Sequence, residues 1–320
     1  MQSVIALGFF DGVHLGHGDL LSKTATLAAR TGRRALALTF DRSPGKDGRL
    51  LSSVADRVRL MHALYGLDGV VVLPFTEAFM RQPWDAFLDS LVQDYAATHF
   101  VCGWDYRFGF RGEGNSDLLQ AWCASHGLGC EVLAAHRIDG VTVSSTHLKM
   151  LIEAGDMETA ARFYGHPHRL SGVVQPGKQL GRTLGFPTAN LLPPPELVLP
   201  KDGVYAVRAM LPMARRCAPL PGLCAGGQAM LVPTQARAPE LQSFVGVCNV
   251  GTNPTVGDKQ RTVETWLSGF EGELYGQELT VDFYHRLRDE KKFPSLEALK
   301  EEILRNKSQA EAYFRENPLR

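Results

Sequence analysis

Residues 8–17 read GFFDGVHLGH and set His14 and His17 on either side of a Leu–Gly pair. The apolar run Val4-Ile5-Ala6-Leu7 before them reads as a short buried strand. Leu20, Leu21, Thr24, Leu27 and Ala28 after them fall on one helical face. The two imidazoles therefore occupy a strand-to-helix turn, with Gly8 and Gly12 permitting unusual backbone angles. The helix is expected to start near His17, where its first N–H groups lack intrahelical partners and its dipole favours an anion. Two imidazoles there add donors aimed at the same anion, which suits the charge that grows on a phosphate under in-line attack. Taken alone, H-x-G-H fits a solvated turn with incidental histidines about as well. A metal is the other alternative, but no Cys, Asp or Glu cluster completes a ligand set. The strand before and the helix after favour phosphate chemistry.

Two further runs bear on chemistry. Val143-Ser144-Ser145-Thr146 stands directly before the apolar Leu148, Met150, Leu151 and Ile152, so its hydroxyls either cap a helix or hold a phosphate at its start. Residues 172–179, GVVQPGKQ, nearly spell a P-loop, but Gln179 stands where Ser or Thr would meet magnesium and no apolar helix follows. The P-loop reading is rejected.

The elements that must position these groups differ between the two halves. Strand-like runs at Ala35–Phe40, Gly69–Phe75, His99–Cys102 and Cys130–Ala135 alternate with helical patterns. Those patterns are Val54, Val58, Met61 and Leu64; Trp84, Phe87, Leu88, Leu91 and Val92 after Pro83; and Leu118, Leu119, Trp122 and Cys123. Near-continuous apolar strands alternating with helices predict a parallel sheet covered on both faces, with ligands at the carboxyl ends of its strands. From about Gly165 the strands become short and are separated by Gly, Pro, Asn and Asp, as in an antiparallel barrel or sandwich. Leu296, Leu299, Ile303 and Leu304 mark a final helix over Ser295–Phe314. Residues 212–240 lack periodicity and read as a long inserted, mobile loop. The expected domains are 1–160 and 165–316.

The chain has 320 residues, 44% hydrophobic and 21% charged, with a formal net charge of +0. Its length suits two domains, and the absence of a basic field argues against a nucleic-acid partner. None of the six cysteines forms a C-x-x-C pair, so reduced thiols in a cytoplasmic protein are expected. No apolar run approaches the ~20 residues of a membrane helix, and the start does not read as a signal peptide.

Phe10-Asp11-Gly12-Val13-His14-Leu15-Gly16-His17 resembles the signature of the bacterial bifunctional riboflavin kinase/FAD synthetases, whose amino half is related to the H-x-G-H nucleotidyltransferases. Gly103-Trp104-Asp105-Tyr106-Arg107-Phe108-Gly109 is similar to that family's flavin-side loop, and Val143–Thr146 to its segment that holds the outer phosphates of ATP. Gly181–Asn190, GRTLGFPTAN, closely resembles its riboflavin kinase signature, and 247–256 and Thr262–Leu267 continue the likeness. It covers essentially the whole chain. It implies a Rossmann-like nucleotidyltransferase domain with a parallel sheet, followed by an antiparallel Greek-key β-barrel kinase domain ending in a helix.

The resemblance also implies roles. In the amino half, His14 and His17 are catalytic, while Gly8, Phe10, Asp11, Gly12, Gly16, Ser144, Ser145, Thr146 and Lys149 bind ATP phosphates. Asp105, Phe108 and Gly109 face the flavin. In the carboxyl half, Gly177, Lys178, Gly185, Pro187, Thr188 and Asn190 bind ATP, with Thr188 and Asn190 also holding Mg2+. Both supply neutral oxygens of the kind a hard, partly hydrated cation accepts. Glu264 takes the proton from the ribityl hydroxyl of riboflavin, and Arg182, Arg288 and Glu290 stand on the flavin side. The implied activity is phosphorylation of riboflavin to FMN, then adenylylation of FMN to FAD with release of pyrophosphate. The implied partners are riboflavin, FMN, FAD and ATP, with no nucleic acid or membrane, in a monomer or weak oligomer.

Three positions depart from the family pattern. Lys149 replaces an arginine and loses the bidentate fork. Thr39-Phe40-Asp41-Arg42-Ser43-Pro44 lacks the usual histidine, and Trp266 stands two places after Glu264, where histidine or another residue is usual. The first two are the only support for the alternative of a flavin- or nucleotide-binding protein with an active kinase half and a decayed adenylyltransferase half. A different H-x-G-H nucleotidyltransferase leaves GRTLGFPTAN unexplained.

Overall fold

The computed structural model describes residues 1–43, 48–176, 188–213, 228–234, 241–252 and 261–318. The chain forms two compact units, one of Met1–Leu50, Val54–Ser145 and Pro219–Ala238, the other of Leu51–Ser53, Thr146–Ala218 and Pro239–Arg320.

The first unit is built on five parallel strands, β1 (Ser3–Leu7), β2 (Arg34–Phe40), β3 (Gly69–Leu73), β4 (Ala97–Gly103) and β7 (Gly129–Leu133), in the order β3-β2-β1-β4-β7. β1 and β3 are buried along their whole length, as strands covered on both faces must be. Alternation along each strand feeds two cores. Val4, Ala6, Ala35, Ala37, Val70 and Val72 pack with Leu20, Leu21 and Ala28 of α1 (Leu15–Thr31) and Val58 and Met61 of α2 (Val54–Tyr65). Ile5, Leu7, Leu36, Leu38 and Val71 pack on the other face with Phe87, Leu88 and Leu91 of α4 (Trp84–Tyr95) and Leu119, Trp122 and Cys123 of α5 (Ser116–Ser125). A short α3 (Glu77–Met80) precedes α4, and two-residue hairpins β5/β6 (Arg107–Phe108, Gly114–Asn115) and β8/β9 (Arg137–Ile138, Val141–Thr142) decorate the loops.

The stretch read as a loop over 212–240 is not wholly irregular. Met230–Pro233 forms β13, which joins the parallel sheet as an antiparallel edge strand beside β3, with Leu231 opposite Val71. Thr234 follows it and donates to the carbonyl of Leu67, with His62 Nδ1 as a further partner. A four-residue strand paired with a sheet far away in sequence leaves no local periodicity to read. Residues 214–227 and 235–240 of the stretch lie outside the described residues.

The second unit carries α6 (most of Ser145–Ala154), α7 (Met157–Tyr164) and six antiparallel strands. These are β10 (His168–Val173), β11 (Thr188–Leu191), β12 (Gly203–Pro212), β14 (Leu241–Thr252), β15 (Arg261–Leu267) and β16 (Glu278–Arg288), in the order β10-β16-β12-β14-β15-β11. The two outer strands meet through a bridge in which Gln175 N–H donates to the Asn190 carbonyl at 2.8 Å, so the sheet curls towards a barrel. The last helix, α8 (Leu296–Glu316), is capped by Ser295, but it buries Asn306, Ala310 and Phe314, while Leu296 and Leu304 are exposed. Phe314 packs edge-on against Tyr284 at 5.1 Å, and the polar Arg288–Asn306 contact at 3.0 Å carries part of the interface. The apolar spacing marked the helix and missed its buried face.

The four cysteines among the described residues, Cys102, Cys123, Cys130 and Cys248, are free thiols. Among the described residues no helix is long and apolar enough to cross a membrane.

Candidate active sites

The turn after β1 is unusual in its backbone. Phe10 (φ 55°), Gly12 (φ 75°) and Val13 (φ 48°) all take left-handed angles, which a β-branched valine rarely adopts. The helix that follows begins at Leu15, two residues before the expected start, because the His14 side chain caps it: His14 Nδ1 accepts the His17 N–H at 3.2 Å. A nitrogen that accepts carries no proton, so neutral His14 bears its hydrogen on Nε2. The two imidazoles stack with ring centroids 3.5 Å apart and planes 12° apart. Two positive charges at that separation repel strongly. Burial above all, then His14 and Arg57, hold the His17 pKa well below the usual range, so His17 is neutral. Its Nδ1 is buried without a hydrogen-bond partner. The pair is thus a neutral His17 stacked on His14, which serves also as a helix cap.

Beside this turn lies a cavity of about 880 Å3 at the carboxyl ends of the parallel strands. Gly8, Phe9 and His17 form one side of it, and Asp105, Phe108 and Gly109 another. Phe40, Phe75, Phe79, Phe87 and Phe110 make most of the remaining wall aromatic, and Arg81, Arg107 and Arg111 supply cationic edges. Gly109 (φ 73°) is required where it stands, since a Cβ there would lie 2.6 Å from Trp84 Cα. The cavity thus has the volume and aromatic lining for a planar ring system with an anionic tail. Phe10, named above among the phosphate residues, buries its ring fully and meets His17 edge-on at 5.3 Å, leaving only its backbone for a ligand. Asp11 is buried, and its carbonyl accepts from Ser145 Oγ at 3.3 Å. Ser144 precedes α6, and Thr146 and Lys149 lie in its first two turns. Gly16 sits in the first turn of α1.

The second cluster lies on one face of the antiparallel sheet. Side chains directly opposite across a strand pair share a face. Thr188 stands opposite Trp266 and Asn190 opposite Glu264, while on the next strand Asn249 also stands opposite Glu264. Asn190, Glu264 and Asn249 therefore form a row across three strands, with Asn190 nearly buried. Glu290 reaches the row, accepting from Asn249 Nδ2 at 3.2 Å. Gly251 makes room for that carboxylate, because a Cβ there would collide with Glu290 Oε1. Lys307 of α8 sits 5.3 Å over the Trp266 ring. Arg288, expected on the flavin side, pairs with Glu302 at 3.0 Å and donates to Asn306, so its guanidinium is held towards α8. Gly177, Lys178, Arg182, Gly185 and Pro187 lie outside the described residues.

Two residues of these sites escaped the sequence reading. Asn249 had its signal in the run VCNVG, where an amide interrupts an apolar strand. Arg57 had a subtler one: with Val54, Val58 and Met61 it shares the apolar stripe of α2, where a charge needs a reason.

The chain matches two family models, one described as FAD synthetase over residues 1–147 and one described as riboflavin kinase over residues 164–314. Among curated proteins, it is 30% identical to the bifunctional riboflavin kinase/FMN adenylyltransferase of Listeria monocytogenes over 98% of this chain and 93% of that protein. It is 31% identical to the protein of that description from Haemophilus influenzae, over 97% of this chain and 94% of the relative. For the one from Pseudomonas fluorescens the identity is 32%, over 94% and 89%. A solved structure described as a macrolide-efflux protein from Streptococcus pneumoniae superposes with a TM-score of 0.77 over 97% of this chain and 94% of that one, at 24% identity, which is a likeness of fold. With both family models matched and relatives at 30% and 31% identity over nearly their whole length, the chain belongs to the bifunctional riboflavin kinase/FMN adenylyltransferase family.

Proposed function

We infer that this chain is an enzyme that makes FAD in two ATP-dependent steps. The second unit transfers the γ-phosphoryl group of ATP to the ribityl hydroxyl of riboflavin, giving FMN and ADP. In the first unit an FMN phosphate oxygen attacks the α-phosphorus of a second ATP, the bond to pyrophosphate breaks, and FAD is released. The observation that carries this reading is that each matched segment holds its own cluster of chemistry-bearing side chains. One is the stacked histidine pair beside an aromatic cavity, the other the Asn190–Glu264–Asn249 row.

In the adenylyl step the nucleophile is already an anion, so a general base is unnecessary and the barrier is repulsion between phosphates. His14 and His17, the start of α1 and the hydroxyls of Ser144, Ser145 and Thr146 supply donors for that charge, with Gly8, Gly12 and Gly16 admitting the phosphates closely. Asp11 holds the turn, and Lys149 adds a cation without arginine's fork. Asp105, Phe108 and Gly109 receive the flavin ring. In the kinase step Glu264 accepts the hydroxyl proton, and Glu290 and Asn249 orient the flavin side of the row. Thr188 and Asn190 offer the hard neutral oxygens that Mg2+ uses, and the described residues hold no group of three or more His, Cys, Asp or Glu suited to a metal. Such a donor set fits an ion that takes most of its remaining ligands from phosphates and water. When bound, Mg2+ neutralises charge on the transferring phosphoryl group. This reading places the enzyme in the cytoplasm, as a monomer or weak oligomer.

The test is direct. Purified protein is mixed with riboflavin, ATP and magnesium, and the flavins are resolved by chromatography. FAD is the expected product. FMN alone would remove the adenylyltransferase assignment, unchanged riboflavin would remove the kinase assignment, and unchanged FMN when FMN is supplied in its place would remove the adenylyltransferase assignment as well.

A further inference from the structure

The strained turn at Phe10–Val13 needs something to hold it. Backbone in sparsely populated regions persists only where the surroundings over-determine it. Within the turn, the Val13 N–H donates to the Phe10 carbonyl at 3.0 Å. Outside it, the grip falls on the Phe9 carbonyl, which accepts from Thr39 Oγ1 at 2.7 Å and from Arg57 Nη1 at 3.1 Å. Arg57 Nη1 also donates to Thr39 Oγ1 at 2.8 Å and to the Phe40 carbonyl at 3.1 Å. The guanidinium carbon lies 4.2 Å over the Phe9 ring, and Nη2 stands 3.9 Å from Asp11 Oδ1. One side chain on α2 thus ties the end of β1 to the end of β2 and reaches into the turn itself.

Stability alone is a poor reason for this arrangement. Arg57 is fully buried, and its Nε and Nη2 have no hydrogen-bond partner. Burial pulls its pKa down to about 10, only partly opposed by Asp11. A buried cation with unmet donors is commonly matched or bettered in stability by an apolar side chain of similar volume. The contacts it does make all fall on groups that shape the rim of the histidine turn.

We propose that Arg57 is a positioning residue for FAD formation: through the Phe9 carbonyl, Thr39 and Asp11 it fixes the Phe9–Val13 turn so that Gly8, Phe9 and His17 present their donors to the cavity. The proposal rests on the reading of His14 and His17 as the phosphate-handling pair.

The test uses the full-length chain, with riboflavin phosphorylation as an internal control. Arg57→Met, Arg57→Lys, Thr39→Val and His17→Asn are assayed for FMN adenylylation under saturating and subsaturating substrate. A misplaced turn spoils geometry in the transition state more than ground-state affinity, so kcat for Arg57→Met falls about 100-fold while both KM values stay within about threefold. The unfolding midpoint of the first unit is kept and phosphorylation of riboflavin is unchanged. Arg57→Lys, which keeps a donor near the Phe9 carbonyl, regains about a tenth or more of the lost rate. Thr39→Val, which deletes the hydroxyl bridge, lowers kcat by about tenfold with the same KM pattern, and it serves as the test if the methionine variant fails to fold. Arg57→Met with native kcat, or a loss confined to KM, overturns the proposal. If His17→Asn is also fully active, the phosphate-handling reading fails with it. If His17→Asn is inactive while Arg57→Met and Thr39→Val are active, only the proposal fails.

Discussion

Under the proposed function His14 has two separable duties, helix cap and donor to the phosphates, and one pair of substitutions divides them. Its Nδ1 accepts the His17 N–H at 3.2 Å and so caps α1, while its ring stacks on His17 at 3.5 Å in the turn that borders the cavity. Removing an N-cap costs about 1 kcal/mol. Spread over a unit of this size, that lowers the unfolding midpoint by about 2–4 °C. Removing one donor from a site that stabilises developing phosphate charge costs about 100- to 1000-fold in rate, or roughly 2.7–4 kcal/mol. His14→Ala is therefore expected to show both losses. His14→Asn should show only one, because asparagine caps helices well and its amide regains the stability without restoring an imidazole at that place. The assay is FAD formation from supplied FMN and ATP at saturation, read by chromatography beside a thermal unfolding curve, with riboflavin phosphorylation as the control. If His14→Asn recovers FAD formation along with stability, His14 is a cap and the charge-stabilising role assigned to it is wrong. If both variants unfold alike yet keep native rates, the paired-imidazole account of the site is wrong.

Other expectations follow from single positions. Gly109→Ala forces a left-handed residue and a contact with Trp84, so the KM for FMN in adenylylation should rise by about tenfold or more while riboflavin phosphorylation is unchanged; a native KM would show that the Phe108–Gly109 wall does not seat the flavin. His168 is fully buried, and burial first, then His166, lowers its pKa to about 3. The unfolded chain takes up that proton below about pH 6.5 while the folded unit does not, so stability falls as the pH drops. From pH 7 to pH 5 the loss is about 2 kcal/mol, from 1.5 pH units at 1.36 kcal/mol each. Urea unfolding of the second unit, followed by loss of kinase activity, should show this slope, and His168→Gln should flatten it; an equal slope in both would remove His168 as its source.

How far the sequence was legible depended on whether each signal was local. Val4–Leu7 and Gly69–Leu73 are apolar throughout because both faces of their sheet are covered, and helices α1, α2, α4 and α5 show the matching stripes. The spacing of His14 and His17 placed them at a strand-to-helix turn, yet the capping bond that starts α1 two residues early depends on a side-chain rotamer. β13 was invisible because its pairing partner lies more than 150 residues away in the chain. The buried face of α8 was misread because Asn306 and Ala310 are small or polar and Phe314 lies at the far end, so leucines on the outside dominated the pattern. Arg57 was readable only as an anomaly on an apolar stripe, and what made it meaningful was the convergence of Phe9 and Asp11 from the turn after β1 with Thr39 and Phe40 from the end of β2. The Asn190–Glu264–Asn249 row likewise required register, which no single strand contains.

The measurement that tests the central claim most directly compares two variants of the whole chain, His14→Ala/His17→Ala and Glu264→Ala, each given riboflavin or FMN with ATP and magnesium. The account predicts that the double variant accumulates FMN and forms no FAD, that Glu264→Ala leaves riboflavin untouched yet adenylylates supplied FMN at the native rate, and that mixing the two restores FAD from riboflavin. Loss of both reactions together in either folded variant would contradict a chain with one chemical site in each unit.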